Sequence, residues 1–107
     1  MKAEDFIIVY TTTAKEDDAE AIAETLVSER LSACVQYARI VSHYLWKGDK
    51  CRDAEFLLAI KTRKRLYRKV EKRIKELHPY ECPEITAVPI ACGSKEYLAW
   101  VSENTKR

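Results

Sequence analysis

Hydrophobic and polar positions along this chain alternate between two rhythms, and the rhythms mark out its elements. Phe6-Ile-Ile-Val-Tyr-Thr-Thr12 is β-branched or aromatic almost throughout, which predicts a central strand covered on both faces. Thr13-Ala-Lys-Glu16 then has capping-box spacing, with a hydroxyl for the N3 amide and a carboxylate reaching back. Ala19, Ile22, Ala23, Leu26, Val27 and Leu31 recur at helical spacing, so an amphipathic helix is expected over about residues 15–30.

Ala33 to Trp46 holds no proline or glycine and is rich in Val, Ile, Tyr and Trp, the pattern of one long strand. Lys47-Gly48-Asp49-Lys50 reads as a turn into a second strand, about Arg52 to Thr62. Leu66, Val70, Ile74 and Leu77 fall on one face of a following helix. Glu84 to Ala91 is a fourth strand, and Pro89 inside it argues for a sheet edge or a bulge. Gly93-Ser94 opens a short last helix with Tyr97, Leu98, Trp100 and Val101. The order βαββαβ plus a C-terminal helix, as one domain over residues 1–107, predicts an α+β, ferredoxin-like antiparallel sheet. Its strand order is 4-1-3-2, with two helices on one face.

The long strand points beyond the single chain. Fourteen extended residues span roughly 46 Å at ~3.3 Å each, whereas a compact chain of this length has a radius of gyration of about 13 Å. A strand from Ala33 to Trp46 must therefore project past its own core unless a bulge near Arg39 folds it back. A projecting edge invites cover by another subunit, and cyclic symmetry would close the assembly.

Composition narrows the class. With 47% apolar and 34% charged residues and only two glycines, Gly48 and Gly93, this is a globular chain with a highly ionised surface and short connections. The formal charge of +2 is too small to indicate a nucleic-acid partner. Met1-Lys-Ala-Glu-Asp-Phe lacks a signal-peptide apolar region, and runs such as Phe56–Ile60 are far too short to span a bilayer. A cytoplasmic protein without a membrane segment is expected. Cys34, Cys51, Cys82 and Cys92 form no C-x-x-C or zinc spacing, so they read as reduced thiols, one or two of them buried.

The chemistry concentrates in His78-Pro-Tyr-Glu-Cys-Pro-Glu84, between the second long helix and the fourth strand. Two prolines four apart disfavour helix before each and make the segment a stiff elbow. It carries an imidazole, a phenol, a thiol and two carboxylates on a rigid mount.

These residues, together with Glu29-Arg-Leu-Ser-Ala-Cys-Val35, Tyr44-Leu-Trp-Lys-Gly48, Glu55 with Lys61-Thr62, and Tyr97-Leu-Ala-Trp100, stand in one order. In that order the chain resembles the CutA family of divalent-ion tolerance proteins over residues 6–102. The resemblance implies a ferredoxin-like fold assembled as a compact homotrimer, similar in architecture to the PII signalling proteins. It also implies a part in tolerance of copper and other divalent cations, with no enzymatic reaction. The family's copper ligands, a thiol on the first strand and a histidine pair, align on Tyr10 and Leu77-His78, of which His78 alone is a ligand type.

Two sets of candidates follow. His78, with Glu81 and Cys82, is the metal set for Cu²⁺ or Zn²⁺; the bland role for His78 is capping helix carbonyls. His43, on the long strand, reads as a surface or interface residue. Trp46, Glu55, Lys61, Tyr80 and Glu84 form a candidate inter-subunit pocket for a small ligand, as in a PII-like sensor. Glu55 and Lys61 are six apart and share a strand face. Structural ion pairing, with Lys61 reaching solvent, is the competing explanation. From Lys61 to Lys75 nine basic residues face one acid, Glu71, either as a solvated helix face or as a phosphate site. No K/R-G-F/Y-G/A-F pattern, phosphate-cradling glycine loop or nucleophile–histidine arrangement is present. Nucleic-acid reading and catalysis are accordingly not expected.

Overall fold

The computed structural model describes residues 2–107. Its elements are β1 (Phe6–Thr13), α1 (Glu16–Ser28), β2 (Cys34–Trp46), β3 (Asp49–Arg63), α2 (Tyr67–Leu77), β4 (Ile85–Pro89) and α3 (Lys95–Glu103). The sheet order is β2-β3-β1-β4, antiparallel throughout, which is the expected ferredoxin-like order. β1 is central, with Phe6, Val9 and Thr13 fully buried. β4 is an edge strand that ends at Pro89, where the missing N–H costs no ladder bond.

Alternation along β1 divides two cores. Ile7 and Val9 join Leu58 and Ile60 beneath Ala19, Ile22 and Leu26 of α1 and Val70 and Ile74 of α2. Each fully buried Ile or Leu contributes about 1.5–3 kcal/mol relative to exposure. Phe6, one residue out of phase, packs with Leu98 and Val101, so α3 covers the end of the opposite face.

Local chemistry shifts several boundaries. Thr13 does not cap α1: it is a buried β1 residue whose hydroxyl donates to the Lys15 carbonyl at 2.9 Å. The N-cap is Lys15, with no side-chain cap bond. α1 ends at Ser28, two residues before the expected stop, because Arg30 turns left-handed at φ 58°. Leu31 N–H then bonds Leu26 O at 2.9 Å and Arg30 N–H bonds Val27 O at 3.0 Å, a Schellman closure built without glycine. The β2–β3 turn is only Lys47-Gly48, both at positive φ (50° and 85°), which suits a two-residue hairpin matched to strand twist. β3 therefore starts at Asp49 and not near Arg52.

β1 pairs with β3 only from Phe56 to Arg63, whereas β2 stays paired with β3 down to Trp46↔Asp49. Residues 40–46 and 49–55 thus form a two-stranded ribbon reaching past the sheet, and the molecule measures 45 × 26 × 21 Å. All four cysteines are free; Cys34 and Cys51 are half-buried, Cys82 and Cys92 exposed. The expectation of a buried cysteine is corrected, because each lies on the ribbon, at a strand start or in a connection instead of facing a core. No described helix is long and apolar enough to cross a membrane.

Candidate functional site: an acidic cleft between elbow and ribbon

His78 anchors the elbow. Its N–H closes α2 on Ile74 O at 2.8 Å, and its backbone is already extended, as the following proline requires. The ring is buried, with Nε2 2.6 Å from Thr12 O and Nδ1 accepting the Tyr80 N–H at 3.1 Å. A carbonyl can only accept and an amide can only donate, so the imidazole is neutral and protonated at Nε2. Both nitrogens are spent within the chain. The side chain therefore binds β1, not the last carbonyls of α2 as its position suggested, and offers no lone pair to a metal.

Tyr80 lies against the His78 ring, with centroids 4.7 Å apart, and its hydroxyl donates to Glu55 Oε2 at 3.3 Å. This bond draws the elbow across to the root of the ribbon and encloses a cleft of about 590 Å³. Thr12 contributes from β1 and Glu55 from β3; Ser42, His43, Tyr44 and Trp46 come from β2; Tyr80, Glu81, Cys82 and Glu84 come from the elbow. Among the described residues, no lysine or arginine lines it.

Of the expected pocket, Trp46, Glu55, Tyr80 and Glu84 come together, but Lys61 does not. Its Nζ donates to Gln36 Oε1 at 2.7 Å and stands 5.7 Å from the Tyr97 ring centroid. Parity put Glu55 and Lys61 on one face, but six residues of strand separate them by roughly 20 Å. Of the metal set, Glu81 and Cys82 line the cleft while His78 is turned inward. Among the described residues, no group of three His, Cys, Asp or Glu side chains gathers as a metal chelate would. His43, read as a surface residue, lines the cleft instead. The signal for it and for Tyr44 was the β2–β3 register, which places residues 42–46 opposite residues 49–53.

Glu55 dominates the electrostatics. It is 8% exposed, receives one long hydrogen bond, and, like Glu81 and Glu84, joins no ion pair among the described residues. A buried carboxylate without a partner is costly. Burial, and then the neighbouring Glu55 charge, push the Tyr80 phenol upward. The bond to Asp53 holds Tyr44 well above its ordinary value. Both hydroxyls therefore stay protonated donors at neutral pH. The cleft is lined by the Glu55, Glu81 and Glu84 carboxylates and by the Tyr44, Trp46 and Tyr80 rings.

The basic run divides differently. Arg73 forms a two-pronged pair with Glu29 and Lys75 meets Glu71, while Arg65 bonds the Lys106 carbonyl. Arg63, Lys64, Arg65 and Arg68 gather at the turn before α2, where Glu4 and Asp5 face them.

Fold and cleft together define a ferredoxin-like protein whose polar site lies where an elbow meets a projecting ribbon. The family model described as CutA1 divalent ion tolerance protein matches residues 7–104. The divalent-cation tolerance protein CutA of Thermus thermophilus is 46% identical over 99 residues, covering 92% of this chain and 96% of the relative. The crystal structure of CutA1 from Pyrococcus horikoshii is similar at a TM-score of 0.91 and 39% identity, over 94% of this chain and 99% of that one. CutA1 from the psychrotrophic bacterium Shewanella sp. SIB1 matches over both full chains at a TM-score of 0.93 and 35% identity. The chain belongs to the CutA1 divalent ion tolerance family.

Proposed function

We propose that the protein serves divalent-cation tolerance as a homotrimer that binds divalent cations weakly and reversibly at the acidic cleft, without catalysing a reaction. The observation that carries this reading is Glu55, a buried carboxylate with no cationic partner among the described residues, facing a cleft that also holds Glu81, Glu84, Cys82 and His43. Carboxylate, thiolate and imidazole donors together suit Zn²⁺ and Cu²⁺. An open donor set without a preformed chelate suits exchange more than storage. The projecting ribbon supports the trimer, since an uncovered two-stranded ribbon is marginal by itself. The free cysteines fit a reducing compartment such as the cytoplasm.

Calorimetry with Zn²⁺, Cu²⁺ and Co²⁺ at neutral pH tests it. Saturable binding should weaken about tenfold or more in Glu55→Gln and fall on acidification, because the ligands bind deprotonated. Metal heat that survives Glu55→Gln but vanishes in His78→Ala would move the site away from the cleft. The second reading, a PII-like small-ligand pocket, is favoured by the aromatic walls Tyr44, Trp46 and Tyr80.

A further inference from the structure

The aromatic walls are more than a metal ion needs. A hydrated divalent ion gains its affinity from the carboxylates, and three rings around it contribute little. Yet Tyr44, Trp46 and Tyr80 are 42%, 51% and 38% exposed, so burial in this chain's core is not what places them there. They line the same cleft as the buried Glu55 carboxylate. A ring face attracts an ammonium cation, and the attraction grows where the site keeps water away from it. The attraction already operates beside this cleft, where Lys47 Nζ stands 5.8 Å from the Trp46 ring centroid.

We infer that the cleft binds an organic cation, an alkylammonium group held between the Tyr44, Trp46 and Tyr80 rings with Glu55 as its counter-charge. This inference rests on reading the cleft as a cation site and names the ligand class that its walls select. A volume of about 590 Å³ lies within the usual span for small-molecule sites. Neither an anion nor a neutral metabolite would compensate Glu55, Glu81 and Glu84 together. The ammonium group could belong to a free small molecule or to the lysine of another protein; the recognition chemistry is the same.

The test uses the intact protein with Trp100→Phe, which leaves Trp46 as the only indole of the chain's two. Trp100 lies on α3 and does not line the cleft. Choline and Nα-acetyl-lysine amide are titrated separately while indole fluorescence is followed, beside 3,3-dimethylbutan-1-ol, the uncharged shape analogue of choline. A saturable change with either cation, at least tenfold tighter than with the alcohol, supports the inference. Preference for choline points to a free ligand, and preference for the lysine amide points to a protein partner. By calorimetry, Trp46→Leu should weaken the preferred cation roughly 3- to 30-fold, and Glu55→Gln should weaken it further. Equal binding of the alcohol, or an unchanged constant in Trp46→Leu, overturns the inference. If Zn²⁺ binds and displaces neither cation because neither binds, the organic-cation inference falls and the cation cleft stands. If Zn²⁺ is also without effect, both fall.

Discussion

Between the Thr12 carbonyl and the Tyr80 amide, the His78 ring has one tautomer open to it, and a long-range ¹⁵N–¹H correlation spectrum should show the Nε2-protonated form. His78→Ala removes both contacts and leaves a buried carbonyl and an amide without partners, at a cost of about 1–3 kcal/mol each. Urea unfolding should therefore register a clear loss of stability, with cation affinity falling in parallel because Tyr80 is no longer pinned. None of this was legible near His78 in sequence, since its partner Thr12 lies on β1, 66 residues away; composition could only say that an imidazole preceded a proline. Lys61 teaches the converse lesson, because alternation fixes a residue's face but not its distance along the strand. The Glu29–Arg73 pair gives a pH-dependent prediction. The Arg73 guanidinium, bonded to both carboxylate oxygens at 3.0–3.2 Å, holds Glu29 below its ordinary value. A depressed carboxylate contributes stability that is present above its unfolded value and lost as pH falls through the folded one. Arg73→Ala should therefore lower Tm modestly at pH 7, and the gap from the parent should close in the acid range. Both side chains are about a third exposed, so added salt should narrow the gap as well.

Among the elements, those with strong periodicity were legible and their ends were not. β1, α1, α2 and the edge position of β4 follow from apolar spacing and from Pro89. The ends depend on left-handed residues that carry no glycine, such as Arg30 and Lys47 at φ 58° and 50°, and no spacing rule announces them. The capping box failed because Thr13 is still needed inside β1, paired across from Phe56. The two-residue turn, in contrast, depends on its glycine. Gly48 sits at φ 85° with open space where a Cβ would point, so the penalty for Gly48→Ala is conformational and should be about 1 kcal/mol. Lys47→Asn should act in the opposite direction, because asparagine tolerates the left-handed region and favours this turn. Thermal unfolding of the two variants should bracket the parent. At the start of α3, Ser94 Oγ accepts the Tyr97 N–H at 3.2 Å, and Ser94→Ala should cost about 1 kcal/mol. That cap was readable in sequence because a serine stood directly before an apolar helical pattern.

For the whole molecule, the decisive length is that of the ribbon. Its ladder of β2 and β3 continues for seven residue pairs, from Ile40↔Glu55 to Trp46↔Asp49, after β1 has ended. Among the described residues nothing packs over its outer surface, where Val41 and Leu45 are 51% and 70% exposed. A strand pair with apolar side chains on an open surface is marginal alone and prone to pair with whatever edge it meets. β4, at the far side of the same sheet, presents such an edge. If each ribbon lies along a neighbour, the contact is heterologous and closes only as a ring. The cleft at the ribbon's root would then be completed by a second chain. Leu45→Glu should break that arrangement without touching either core, since Leu45 is largely exposed in the single chain. Sedimentation equilibrium should show the parent at three times the chain mass and Leu45→Glu at the mass of one chain, with lower stability and loss of cation binding together. A monomeric parent would overturn the argument from strand length. A variant that stayed trimeric would instead assign the contact to another face of the sheet and leave the ribbon free for a different partner.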